Sequence, residues 1–163
     1  MWQSNIGVAA FLAIIGVFGA TYGSLAVALL YFAPLAVCNV WLVLYTWLQH
    51  TDVDVPHFGT GDWTWSKGTF MTIDRPYGPI LNMLHHGIGA THVAHHIDHT
   101  IPHYNAWEAT EAIKKAFPDI YLYDPTPIHE AMWRIGKHCV AVEKKPGPMG
   151  AWVFNTSLKS VAK

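Results

Sequence analysis

The first 51 residues contain no Asp, Glu, Lys or Arg; all 10 Lys+Arg and all 11 Asp+Glu fall from Asp52 onward. A soluble globule spreads its charges along the chain, so this asymmetry excludes one. Ile6 to Leu48 is an almost unbroken apolar run. One crossing of a bilayer core takes about 20 apolar residues, and this run is about twice that. It therefore reads as a two-pass hairpin. The turn falls either at Tyr22-Gly23-Ser24 or at Pro34, which lacks a backbone donor and disfavours helix just before it. The Pro34 turn is preferred, because Leu35 to His50 is then a helix of about 24 Å ending at the membrane surface. Trp41, Tyr45 and Trp47 near its end suit an interfacial aromatic belt. A cleavable leader fits badly. No basic stretch precedes the run, and the run far exceeds the roughly 7–15 residues of a leader's apolar region.

The rest of the composition narrows the class further. A chain that is 52% hydrophobic is not disordered. A net charge of -1 offers no cationic footprint for nucleic acid. Cys38 and Cys139 are too few for a disulfide framework. From Thr51 the composition changes abruptly. Thr51 to Thr64 reads as a loop rich in Asp, Gly, Pro and Trp. Ser66 to Ile73 reads as a short helix on the membrane, and Asp74 to Pro79 as a turn. Ile80 to Ile101 has helical potential, interrupted by Gly87 and Gly89 and stopped near Pro102. Ala106 to Phe117 is an amphipathic helix, and Pro127 opens another that runs to about Val142. The tail from Glu143 is basic and expected to be irregular.

Seven of the 11 histidines lie between His85 and His103. The sharpest group is Thr91-His92-Val93-Ala94-His95-His96. Helical residues three and four apart share a face, so His92, His95 and His96 can point at one centre. Neutral imidazole is a good ligand for Zn, Fe, Cu or Ni. No Glu follows His92, which excludes the H-E-x-x-H protease motif, and thiolate ligands are missing. Many histidines at the end of membrane helices point to iron and oxygen chemistry. His50 closes the apolar helix. His99 and His103 continue the His92/His96 face by helical counting, although Pro102 disturbs it. His57, His129 and His138 read as surface or supporting residues.

The blocks LQHTDVDVPHF, TIDRPYG, LHHGIGATHVAHH and IPHYNAWEATEAIKK, in that order over about Leu35 to Val142, resemble the C-terminal part of membrane-bound fatty acid desaturases. The fungal omega-6 (Δ12, oleate) type looks closest, and the omega-3 (Δ15) type next. The resemblance implies a di-iron centre held mainly by histidines from three boxes on the cytosolic face. It implies dioxygen activation, a fatty acyl lipid substrate threaded into the membrane part, and a cis double bond as product. Electrons would come from cytochrome b5 in the endoplasmic reticulum. His92, His95 and His96 match the third box. His50 lies where the family has a further histidine at a helix end, and His86 matches a recurrent family histidine. Asn105 departs from the usual PHYHA. No H-E-C-G-H box precedes His50, so about half of the expected ligands are present. The chain then reads as a C-terminal portion, inactive alone.

These readings combine into an all-α, multi-pass membrane protein. Residues 1–50 form a transmembrane hairpin, 51–142 a cytosolic, mostly helical His-box cap, and 143–163 an irregular tail. A hairpin returns both of its ends to one side, which is what a shared metal centre needs. Two other functions stay open. One is a non-catalytic membrane protein that binds metal or pairs with a desaturase. The other is a hydroxylase on the same iron scaffold.

Overall fold

The computed structural model describes residues 2–145 and 150–155. They belong to two compact units, Met1–Val43 and Leu44–Lys163. In the first, α1 (Trp2–Tyr22) gives way at once to α2 (Ser24–Val27). Between them Gly23 takes φ 88°, a left-handed conformation that costs glycine little. The chain doubles back there. The Phe11 and Tyr31 rings sit 5.5 Å apart. A side chain at Gly19 would meet Val27 at 3.1 Å. Paired positions that converge on Gly23 in this way are those of an antiparallel hairpin.

α2 runs through a π-helical turn (Ala28–Phe32) into α3 (Ala33–Leu48), so that Ser24–Leu48 is helical throughout its 25 residues. The expected turn at Pro34 is thus corrected to Gly23. The physical reason lies in the π turn. Ala33 donates its N–H to the Ala28 carbonyl, five residues back. This wider turn just ahead of Pro34 absorbs the missing donor without ending the helix. Trp2–Tyr22 and Ser24–Leu48 are both long and apolar enough to cross a membrane. Most of their side chains stay on the surface, Val17 at 68% and Leu30 at 70% exposed, while Val27 and Leu48 are buried.

The second unit is built around the segment Thr72 to Arg75. Gln49, at the end of α3, accepts through its carbonyl from the Ile73 N–H at 3.0 Å and from Thr72 Oγ1 at 2.7 Å. The Asp74 N–H donates to the Leu122 carbonyl at 3.1 Å, and the Arg75 N–H to the Gly89 carbonyl at 2.7 Å. Around this strut lie α4 (Trp65–Thr69), α5 (Pro79–Leu84), α6 (His92–Ile97), α7 (His103–Ala116) and α8 (Ile128–His138). Val93, Ala94 and Ile113 form a core between α6 and α7, with Phe70, Ile97, Ala109 and Tyr121 packed on it. Burying the Val93 side chain completely contributes about 1.5–3 kcal/mol.

Three charges are buried beside the end of α3, and the half-buried Arg134 closes the group. The fully buried Arg75 guanidinium donates to Asp52 Oδ2 at 2.7 Å, to Asp124 Oδ2 at 3.0 Å and to the Leu48 carbonyl. Arg134 donates to both carboxylates at 2.6 Å. Burial pushes the Asp124 carboxyl up, but bonds from Thr126, Arg134 and Arg75 outweigh this and hold it at about 2. The group is neutral as a whole, which limits the desolvation cost of burying it.

Three expectations need correction. The chain is mostly helical rather than all-α: β1 (His57–Phe58), β3 (Ala151–Phe154) and β2 (Val142–Lys144) form an antiparallel sheet in the order β1-β3-β2. The tail expected to be irregular therefore supplies two strands. Its periodicity is too short to announce itself, and its partner β1 lies more than eighty residues upstream by chain number. Residues 146–149 and 156–163 of that tail lie outside the described residues. The interruption expected at Gly87 within Ile80 to Ile101 is present. α5 and α6 are separated by a turn in which His86 and Gly87 take φ 54° and 72°. α8 ends at His138 rather than near Val142.

Candidate metal centre

His50 sits in the turn that ends α3. Its backbone N–H bonds the Trp47 carbonyl at 3.3 Å. Its Nδ1 lies 3.4 Å from the Met71 carbonyl. A carbonyl only accepts, so this contact requires the proton on Nδ1 and leaves the Nε2 lone pair free. A partner on the far ring nitrogen is the usual way a ligating imidazole is oriented.

His92 and His96 come from α6. The first turn of that helix is secured by Asp74, whose Oδ1 accepts from the Val93 N–H at 2.7 Å and whose Oδ2 accepts from Tyr121 Oη–H at 2.6 Å. Asp74 is fully buried. Burial raises its carboxyl to about 6, against the lowering effect of these bonds.

The three rings converge. His92 Nε2 is 3.2 Å from His50 Nε2 and 3.2 Å from His96 Nε2. One nitrogen from each of the three lies within 4.8 Å of the others. Nitrogens 3.2 Å apart, each about 2.1 Å from a shared ion, subtend roughly 100°, an ordinary ligand–metal–ligand angle. All three rings are held uncharged near neutral pH. Burial, then the proximity of His96, His50 and His95, lowers His92 to about 3. Burial, then His50 and His95, lowers His96 to about 4. Burial lowers His50 despite its bond to Met71. An all-imidazole, uncharged donor set of this kind suits a first-row transition ion such as iron.

His95 and His86 are not brought to this point. They line a separate cavity of about 300 Å³ with His85, Thr91, Ile101 and His103. In that cavity the His86 and His103 rings lie 4.4 Å apart. His85 Nδ1 is hydrogen-bonded to the Tyr45 hydroxyl. Tyr45 also stacks on Tyr77 at 5.0 Å, a second use for a ring assigned above to the aromatic belt. His99 and His103 do not continue the His92/His96 face, because α6 ends at Ile97. His129 is exposed, as expected of a surface residue. Asn105 is exposed on the first turn of α7.

Sequence reasoning missed Asp52, Asp74 and Arg75. Their signal lies in the blocks LQHTDVDVPHF and TIDRPYG, which carry the resemblance but read structurally as a loop and a turn. Nothing in the sequence shows that all three are buried.

Comparison with known proteins bears on what this geometry serves. Residues 1–126 match the family described as fatty acid desaturase. A Delta(12)-fatty-acid desaturase of Arabidopsis thaliana is 44% identical over 143 residues, 86% of this chain and 37% of that protein. An oleoyl-12-hydroxylase of Ricinus communis is 46% identical over 125 residues, 77% of this chain and 32% of that protein. An acyl-lipid (9+3)-(E)-desaturase of Dimorphotheca sinuata is 43% identical over 127 residues, 77% of this chain and 33% of that protein. The chain thus spans about a third of the length of the curated relatives it matches. These relatives are plant proteins, and they lend no support to the fungal assignment or to the ranking of the omega-3 type. No solved structure matches.

Proposed function

The chain belongs to the fatty acid desaturase family, and we propose that it supplies one part of the metal centre of an acyl-lipid desaturase. The observation that carries this reading is the convergence of the His50, His92 and His96 nitrogens. On this reading Ser24–Leu48 and Trp2–Tyr22 are membrane spans, in a multi-pass protein of the endoplasmic reticulum with its histidines facing the cytosol. Their exposed apolar surface is what lipid would cover. The substrate is a fatty acyl chain lying in lipid, the co-substrate dioxygen, and the electron donor cytochrome b5.

His50, His92 and His96 would hold iron. Bound there, iron supplies the dioxygen chemistry needed to remove hydrogen from an unactivated acyl chain. The protein's own contribution is preorganisation. The Met71 carbonyl fixes the His50 ring, Asp74 fixes the start of α6, and Arg75 fixes the turn that carries His50. Desolvation keeps the three imidazoles unprotonated and able to ligate. His95 and His86 face a different cavity. That cavity is where a second iron of a di-iron pair would take further ligands, supplied by a longer protein that includes this segment.

A chimera tests the proposal. The matching third of a plant Δ12 desaturase is replaced by this chain, and the product is expressed in cells that make oleate but no dienoic acid. Dienoic acid is expected, and its loss on His92→Ala. A chimera that accumulates in membranes yet yields no new fatty acid in any lipid class would sink the reading. Hydroxy acids instead would favour the hydroxylase outcome, which the similar identities to the Ricinus and Arabidopsis relatives leave open.

A further inference from the structure

Resting on the reading of the three-histidine cluster as a metal centre, we propose that His57 is a positioning residue that hydrogen-bonds to the water or small anion on the metal's open side. A cavity of about 390 Å³ has His50 and His96 in its wall together with His57, and Trp63, Trp65 and Met71 complete the lining. Three imidazoles grouped to one side leave coordination positions for solvent or substrate. The cavity is where such a ligand has room.

His57 is built into this wall. It lies in β1, paired with Trp152 of β3. Its ring meets Phe154 edge-on, with centroids 5.2 Å apart and planes at 89°. The two strand residues that hold it come from the C-terminal tail, so the sheet has a direct consequence for the site. The His57 Nε2 atom is buried and has no hydrogen-bond partner. Buried polar atoms without a partner are few in folded proteins, and an unseen water or ion is a common reason.

His57 does not belong to the close group of ligand atoms, which contains His50, His92 and His96. Its place is therefore beside a metal-bound ligand rather than on the metal. Burial, then the proximity of His50, lowers its basicity. The ring is uncharged near neutral pH and presents either one N–H or one lone pair at Nε2. Both suit a water molecule, and the N–H suits a small anion.

The test uses the full 163-residue chain in detergent, with Co(II) as a spectroscopic probe and azide as the small anion. The parent chain is expected to bind cobalt and then azide, each with a change in the visible bands. His57→Leu is expected to keep cobalt affinity within about threefold and to weaken azide about tenfold, the loss of one hydrogen bond to a charged group. His57→Gln places an amide nitrogen near the Nε2 position and is expected to restore most of that affinity. Unchanged azide affinity in His57→Leu would overturn the proposal, and so would an equal loss in both variants. Loss of cobalt itself in both variants would overturn it in favour of direct ligation. A parent chain that binds no cobalt would refute the metal centre itself, an outcome distinct from the others.

Discussion

Arg75→Met deletes the buried guanidinium that ties Leu48, Asp52 and Asp124 together. In the parent chain two cations face two carboxylates. In the variant, Arg134 alone faces both Asp52 and Asp124, and the Leu48 carbonyl loses its donor. Breaking a buried ion pair by removing one partner costs about 3–5 kcal/mol. That is a large share of the 5–15 kcal/mol typical of a whole domain. Because Leu48 and Asp52 bracket His50, the loss also frees the turn that carries a proposed ligand. Arg75→Lys keeps the charge but not the planar fork, so its expected cost is smaller, about 1–3 kcal/mol. Denaturant titration in detergent followed by tryptophan fluorescence gives the stability, and iron per chain reports the site. Arg75→Met combined with Asp52→Leu leaves Arg134 paired with Asp124 alone and is expected to recover part of the loss. An Arg75→Met variant within about 0.5 kcal/mol of the parent, or a double variant worse than the sum of its parts, would refute the charge-balance reasoning.

Further outcomes follow from the same geometry. Stability is expected to fall as the pH drops from about 6.5 towards 4. Over that window the unfolded chain takes up protons on His92 and His96, which the folded chain refuses until about 3 and 4. The His92 contribution is on the order of a few kcal/mol. The raised Asp74 carboxyl opposes it below about pH 6 but does not cancel the two histidines together. A stability profile that stays flat between pH 7 and 4.5 would therefore contradict the burial argument. Gly89→Ala would put a Cβ 2.8 Å from the Arg75 carbonyl. The expected cost is about 1–3 kcal/mol, read as a lower midpoint in urea; an unshifted midpoint would show that the strut yields freely. In the isolated chain, His92→Ala is expected to abolish metal binding at the triad. His95→Ala is expected to leave it within a few-fold, because His95 lines the other cavity. Calorimetric titration with Co(II) compares the two, and equal losses would place His95 in the triad.

The expectations that held have local causes. A run without charge specifies long apolar helices wherever it occurs. The spacing of His92 and His96 puts both on one helical face whatever surrounds them. Even here locality has limits: the same spacing favoured His95 equally, and the structure turns it to a different cavity. The hairpin turn was open between two sites for the same reason. Gly23 and Pro34 both break helices in principle, and a π-helical turn decided against Pro34. Strands of two to four residues carry no readable period. They exist because β3 finds β1 and β2 in space.

The sequence by itself determined an apolar hairpin followed by a charged cap, with histidines where the two regions meet, since each depends only on residue type and near neighbours. Tertiary structure alone decided which histidines come together. His50 and His92 are 42 positions apart, and what unites them is the Asp74-Arg75 strut, with Asp74 holding α6 and Arg75 holding the end of α3. A buried carboxylate and a buried guanidinium do this because, away from water, each must find its partners, and among those partners Leu48 and Asp52 flank His50 while Val93 adjoins His92.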